Sequence, residues 1–177
     1  TNPKTPKTVR GIWKNKNELK RFAKIIVPSG RARLIGVDMR NLTMMTDLYQ
    51  LTMMYGYHKF GMSRNTAVFD LFFRKPISGS SLTVMAGTES VIDYINNLHF
   101  DEEDISYLRS LKLFDEDFLT ILKDFSFTGE LYAMKEGTVV FPNEPMIRVK
   151  APILEAQLIE TTLLNMVNHQ TLIATKA

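Results

Sequence analysis

Apolar and polar positions change period several times along the chain, and each change marks an element. Over residues 47–61 two apolar rows run at helical spacing. Leu48, Leu51 and Tyr55 form one; Tyr49, Met53, Gly56 and Phe60 form the other. A surface helix needs one apolar stripe. Two rows predict a helix covered on more than one side, by its own core or by another subunit. Asp47 stands at the N-cap, and Gln50 lies three residues on, as a capping box requires. On spacing alone Asp47 is a cap and Tyr49 a core aromatic. Gly61 and Ser63 end the helix.

The period then falls to two. Thr66–Arg74 predicts a strand with Ala67, Phe69, Leu71 and Phe73 on an apolar face, and Val68, Asp70, Phe72 and Arg74 on a mixed one. Pro76 and the SGSS run at 78–81 form a loop, Leu82–Ala86 a second strand, and Gly87 a break. Thr88–Leu98 is helical, with Val91, Ile92 and Ile95 on one side. Asp101 and Asp115 open two short helices. DEED (101–104) and DED (115–117) are therefore assigned to capping and helix dipoles, not to metal or acid–base chemistry.

Strands follow at Glu130–Met134, Thr138–Phe141 and Met146–Lys150, with antiparallel pairing expected for the last two across the turn 142–145. Pro152 suits the first turn of a long helix. Leu154, Leu158, Leu163, Leu164 and Val167 fill most of its circumference. Gln157, Thr161 and Asn168 form a narrow polar stripe, which reads as a solvent strip, a helix–helix hydrogen-bond seam or a cavity wall. The order of elements predicts an α+β fold.

Charge divides the chain. Residues 1–40 carry eleven Lys and Arg against Glu18 and Asp38, a net +9; residues 41–177 carry −6. Residues 1–11 are expected to be disordered, and Asn15–Ile26 to form a short basic helix closed by Pro28-Ser29-Gly30. Met39 is the expected natural start, which makes 1–38 a dispensable upstream stretch; a genuine basic extension is the alternative. Residues 39–151 are then an α+β domain, and 152–177 a helix leading into a further one. The basic segment lacks a base-reading motif, so no nucleic-acid partner is assigned. No run of 18 apolar residues or signal peptide occurs, so no membrane partner is assigned and a cytoplasmic setting is expected. The chain has no cysteine, which excludes disulfides and thiol nucleophiles.

Local chemical motifs are absent. No P-loop, G-x-G-x-x-G or G-x-S-x-G sequence occurs. His58, His99 and His169 are widely separated, so no metal ligand is assigned. No catalytic residue is assigned either.

Four blocks in order carry a family resemblance: TDLYQLTMMYGY (46–57), NTAVFDLFFRK (65–75), GELYAMKEGTVVFPNEPMIRV (129–149) and NHQTLIATKA (168–177). From about Asn41 onward the chain resembles the N-terminal part of nicotinate phosphoribosyltransferases. The resemblance implies an N-terminal α/β sandwich-like domain of a type II phosphoribosyltransferase, then the start of an irregular α/β barrel truncated at the C-terminus. It implies nicotinate and 5-phosphoribosyl-1-diphosphate as substrates in NAD salvage, with ATP as co-substrate and Mg²⁺ as cofactor. The phosphorylated histidine that couples ATP is expected after Ala177, so the 177 residues alone are expected to be inactive. By the same resemblance Tyr49 stacks on the pyridine ring, Asp47 organises that corner, and Arg74 reaches phosphate oxygens. Tyr49 is expected to serve the other subunit's site in a head-to-tail homodimer. Nicotinamide and quinolinate phosphoribosyltransferases, and a non-catalytic interaction module, are the alternatives.

Overall fold

The computed structural model describes residues 22–25, 41–75 and 82–177. Its main sheet has four antiparallel strands: β1 (Phe22–Ile25), β2 (Thr66–Leu71), β4 (Glu130–Met134) and β6 (Ile147–Pro152), in the order β1-β4-β6-β2. A two-stranded sheet pairs β3 (Thr83–Val84) with β5 (Val139–Val140). Among the described residues five helices surround these strands: α1 (Leu48–Lys59), α2 (Thr88–Asn96), α3 (Glu102–Ser110), α4 (Glu116–Lys123) and α5 (Ile153–Lys176). The α+β reading thus holds for the described residues.

β6 is the centre of the sheet. Both its edges are paired, and Ile147, Arg148, Val149 and Ala151 are buried. That occupancy overturns the expected pairing of 138–141 with 146–150. The turn between them contains Asn143 at φ 65, and its two prolines cannot donate to a ladder. β5 therefore leaves for β3, and β6 fits between β4 and β2. On β2 the odd positions face inward as the alternation predicts: Ala67 and Phe69 pack against the core and Leu71 lies in it, while Val68 is half exposed.

The helix expected over 15–26 gives way at Phe22–Ile25 to β1, an edge strand in register with Leu131–Met134. Part of the segment expected to be dispensable thus supplies the fourth strand. The remainder of residues 1–40, including the expected disorder at 1–11 and the start at Met39, lies outside the described residues, as does the loop at 76–81.

α5 is the helix on which the others converge. Leu154 through Ile159 are all buried, so the first turns are enclosed on every side. Gly87 sits at φ 104, and a Cβ there would lie 3.2 Å from Val167 Cα, so α5 crosses where a side chain would not fit. The same turn lets the Glu136 carboxylate accept from the backbone N–H groups of Gly87 (2.9 Å) and Thr88 (2.6 Å), which caps α2. Both acidic runs act as caps. Asp101 and Asp104 form a reciprocal capping box on α3, and Asp115 accepts from Phe118 N–H at 3.0 Å on α4. α4 in turn holds α1 through an aromatic cluster: Tyr55 meets Phe114 edge-on with centroids 5.6 Å apart, and Phe118 at 5.3 Å.

Candidate functional site

The two rows of α1 have different fates. Leu51 and Met54 are buried toward α5, and Tyr55 packs beside them. The second row is turned outward: Tyr49 is 50% exposed, Met53 41% and Phe60 83%. Leu48, assigned to the first row, is also half exposed. The assignment of Tyr49 to the core is therefore corrected. Its helical phase places it about 100° from the buried Gln50 and about 200° from Leu51, on the side α5 does not cover.

The capping box expected between Asp47 and Gln50 does not form. Asp47 has the extended N-cap backbone, φ −83 and ψ 146, but its side chain caps nothing. Its carboxylate instead accepts from Thr161 Oγ1 on α5 at 2.9 Å. Gln50 is wholly buried. Its Oε1 accepts from Gln157 Nε2, and its Nε2 lies 2.8 Å from Tyr49 Oη, 3.2 Å from Glu160 Oε2 and 3.3 Å from Thr161 Oγ1. An amide carries two hydrogens, so these three acceptors share them. Gln157 Nε2 also reaches Glu160 Oε2 at 3.3 Å.

Of the readings open for the polar stripe of α5, this is the helix–helix seam, at Gln157 and Thr161. Asn168 lies two turns further on and is exposed. The seam fixes the start of α1 against α5 and holds the Tyr49 hydroxyl through a buried amide. Ser, Thr and Gln contacts of this kind orient helices because an unmatched buried amide is costly. Sequence reasoning alone misses Glu160. Its only sequence signal is its position one turn after the buried Ala156, beside Gln157 and Thr161.

Arg74 is exposed, just beyond the end of β2. Among the described residues no hydrogen bond or ion pair engages its side chain. The strand expected through Arg74 ends at Leu71, because β6 begins at its partner Ile147. A groove of about 470 Å³ lies between β2 and α5, with Val68, Phe72, Ile159, Leu163 and Glu160 among its walls. Neither Tyr49 nor Arg74 lines it, yet it borders both corners: Glu160 bonds to the seam at Tyr49, and Phe72 precedes Arg74 by two residues. Asp47 and Arg74 are not in contact.

The corner around Tyr49 is acidic. No described Lys or Arg pairs with Asp47 or Glu160. Asp70, on the groove wall, is matched instead by Arg148 in a two-point ion pair, 2.6 Å at each end, which raises the guanidinium pKa further. No three His, Asp or Glu side chains among the described residues converge as a metal site. His58 leans on the Phe118 ring, and His99 Nδ1 lies 2.7 Å from the Asn97 carbonyl. No helix of the described residues is long and apolar enough to cross a membrane.

Comparison with known proteins gives a consistent result. The family model for the nicotinate phosphoribosyltransferase N-terminal domain matches residues 44–168. The nicotinate phosphoribosyltransferase of Bacillus subtilis is 51% identical over 137 residues, which are 77% of this chain and 28% of that protein. The Mycobacterium tuberculosis nicotinate phosphoribosyltransferase pncB2 is 47% identical over 132 residues, 75% of this chain and 28% of its own. The crystal structure of human nicotinic acid phosphoribosyltransferase superposes with a TM-score of 0.70 at 34% identity, covering 74% of this chain and 27% of that one. The chain thus spans little more than a quarter of the length of these relatives.

Proposed function

The chain belongs to the nicotinate phosphoribosyltransferase family, and from this we propose that it is the N-terminal, ring-binding part of an enzyme of NAD salvage. The enzyme joins nicotinate to 5-phosphoribosyl-1-diphosphate, forms nicotinate mononucleotide and releases diphosphate, with ATP hydrolysis alongside. The barrel and the phosphorylated histidine that couples ATP belong to the remainder of the family's length.

The chemistry asks little of this part in acid–base terms. As diphosphate departs, the anomeric carbon gains positive charge, and the pyridine nitrogen already carries a lone pair. The protein has to hold the ring, aim its nitrogen and neutralise the departing charge. Tyr49 supplies an aromatic face for the first task. Arg74 supplies a guanidinium for the last. Asp47 and Glu160 carry the wrong charge to hold the nicotinate carboxylate, so its counter-cation comes from elsewhere in the enzyme. The described residues do not form a metal cage. Mg²⁺ fits better as a companion of the diphosphate oxygens and water, its usual ligands.

The observation that carries this function is the outward Tyr49. Its ring is half exposed while its hydroxyl is held by a buried amide, an arrangement of little use to a core and well suited to presenting a ring. The exposed row Tyr49, Met53 and Phe60 supports a second subunit covering this face, with Tyr49 completing that subunit's site in a homodimer. The test is made in the full-length enzyme. Tyr49→Phe is expected to keep most activity. Tyr49→Ala is expected to raise KM for nicotinate and lower kcat/KM by up to about tenfold, from a ring contact of about 0.5–1.5 kcal/mol. Because the ring is not core, the thermal midpoint should fall little. Mixed dimers of a silent position-49 variant and a variant silenced in the barrel should recover activity, since both lesions then fall in one site. Absence of recovery in a verified mixed dimer rules out the shared site.

A further inference from the structure

The backbone just before Arg74 is held from outside its own strand. The ladder of β2 on β6 ends at Leu71 opposite Ile147. Continued by two residues, the register would set Pro145 opposite Phe73, and a proline has no N–H to give. The chain supplies the bond from another position. Asn143 donates its N–H to the Phe73 carbonyl at 2.8 Å, and Met146 donates to Leu71 at 2.8 Å. Asn143 can reach because its backbone is left-handed, at φ 65. The turn is closed on itself by two further bonds: Glu144 N–H donates to the Phe141 carbonyl at 3.1 Å, and the Glu144 carboxylate accepts from Phe141 N–H at 3.0 Å. Asparagine is among the few residues that take up this conformation readily. Strained backbone of this kind concentrates where a neighbouring group has to be set in place.

We propose that Asn143 is a positioning residue for Arg74: its left-handed N–H pins the Phe73 carbonyl and so sets where the next residue's guanidinium meets the phosphate oxygens of phosphoribosyl diphosphate. It acts through Arg74 and touches no substrate, and it depends on the phosphate role given to Arg74 above. A displacement of about 1 Å at such a group can cost on the order of 100-fold in rate. A backbone anchor one residue away is therefore as consequential as the charge.

The test uses the full-length enzyme with Arg74→Ala, Asn143→Gly, Asn143→Val and the Arg74→Ala/Asn143→Val double variant. Glycine keeps the left-handed backbone, so Asn143→Gly should hold KM for phosphoribosyl diphosphate within about twofold of the parent. Valine cannot take φ near +65 without strain, so Asn143→Val should raise that KM by about tenfold, while KM for nicotinate moves less than about twofold. The double variant should be no worse than Arg74→Ala alone, because the anchor has nothing left to position. If Asn143→Val does not fold, Asn143→Ala imposes the same backbone conflict more mildly and is read in the same way. An unchanged KM for phosphoribosyl diphosphate in Arg74→Ala overturns the phosphate role, and this inference with it. A raised KM in Arg74→Ala, combined with losses that multiply in the double variant or with parental behaviour of Asn143→Val, overturns the positioning role alone.

Discussion

Replacing Gln50 by alanine should cost both stability and nicotinate binding, and the structure sets the size of the first. The side chain is fully buried and joins four partners on α1 and α5. Truncation removes one buried methylene, worth about 0.8 kcal/mol. It also takes the acceptor from Gln157 Nε2, which keeps a single, long bond to Glu160 at 3.3 Å. One buried donor left unmatched costs about 1–3 kcal/mol. The expected loss is therefore about 2–4 kcal/mol, large for one substitution. For a chain of this size it corresponds to a fall of about 4–16 °C in the thermal midpoint. Urea denaturation of parent and variant measures the free energy, and steady-state kinetics of the full-length enzyme measures KM for nicotinate. That KM should rise, because the seam also sets where the first turn of α1 presents the Tyr49 ring. Thr161→Val is the graded control: it removes one partly exposed hydroxyl and should cost about 1 kcal/mol. A loss below about 0.5 kcal/mol for Gln50→Ala, the range of an ordinary surface change, would refute the seam as the device that docks α1 on α5.

Two further outcomes follow from the charged groups. Asp70→Ala removes the two-point ion pair of Arg148, which is 7% exposed, and should cost about 2 kcal/mol in a urea titration, against about 1 kcal/mol or less for Lys150→Ala, whose pair with Glu130 is 3.6 Å long and more than one-third exposed at each end. Glu155 sits in the first turn of α5 with its carboxylate accepting from Thr128 N–H at 2.6 Å and Thr128 Oγ1 at 2.8 Å, and burial pushes its pKa above the usual 4.5 despite those bonds. The folded state then binds the proton more tightly than the unfolded chain, so this group's contribution falls as pH rises from about 4.5 through its raised value. Glu155→Gln should remove that fall. Its stability relative to the parent should rise between pH 4.5 and 7 in denaturation curves, and a flat difference would contradict it.

Local pattern was enough to locate most elements, because their signals are local. Asp101 and Asp115 cap helices by bonds to residues three positions away, and the alternation in β2 reports which face meets the core. Partner choice in the sheet was not legible. It depends on β6 having both edges taken, by β4 and β2, which no stretch of β5 or β6 records. β1 was missed for the same reason: four residues in a basic segment carry no strand signal until β4 offers an edge. The capping box failed because Asp47 found a better donor in Thr161, 114 residues away. Tyr49 and Arg74 could be named from the resemblance, whereas Glu160 and Asn143 could not. One matters through a seam between distant helices, the other through a backbone angle.

Helix α1 shows why its two apolar rows were ambiguous on periodicity alone. Both rows have the composition of a core face, but one subunit can bury only one of them. The seam decides which. Gln50 is held against Gln157 and Glu160, so its neighbours Leu51 and Met54 turn inward, and the rotation this imposes carries Tyr49, Met53 and Phe60 out to the surface. A leucine at position 50 would bury as much apolar surface and leave the helix free to rotate, since hydrophobic contact has no direction. The buried amides therefore set the phase of the helix, and the phase determines that an aromatic ring, not a core contact, is what α1 offers to whatever packs on its outer side.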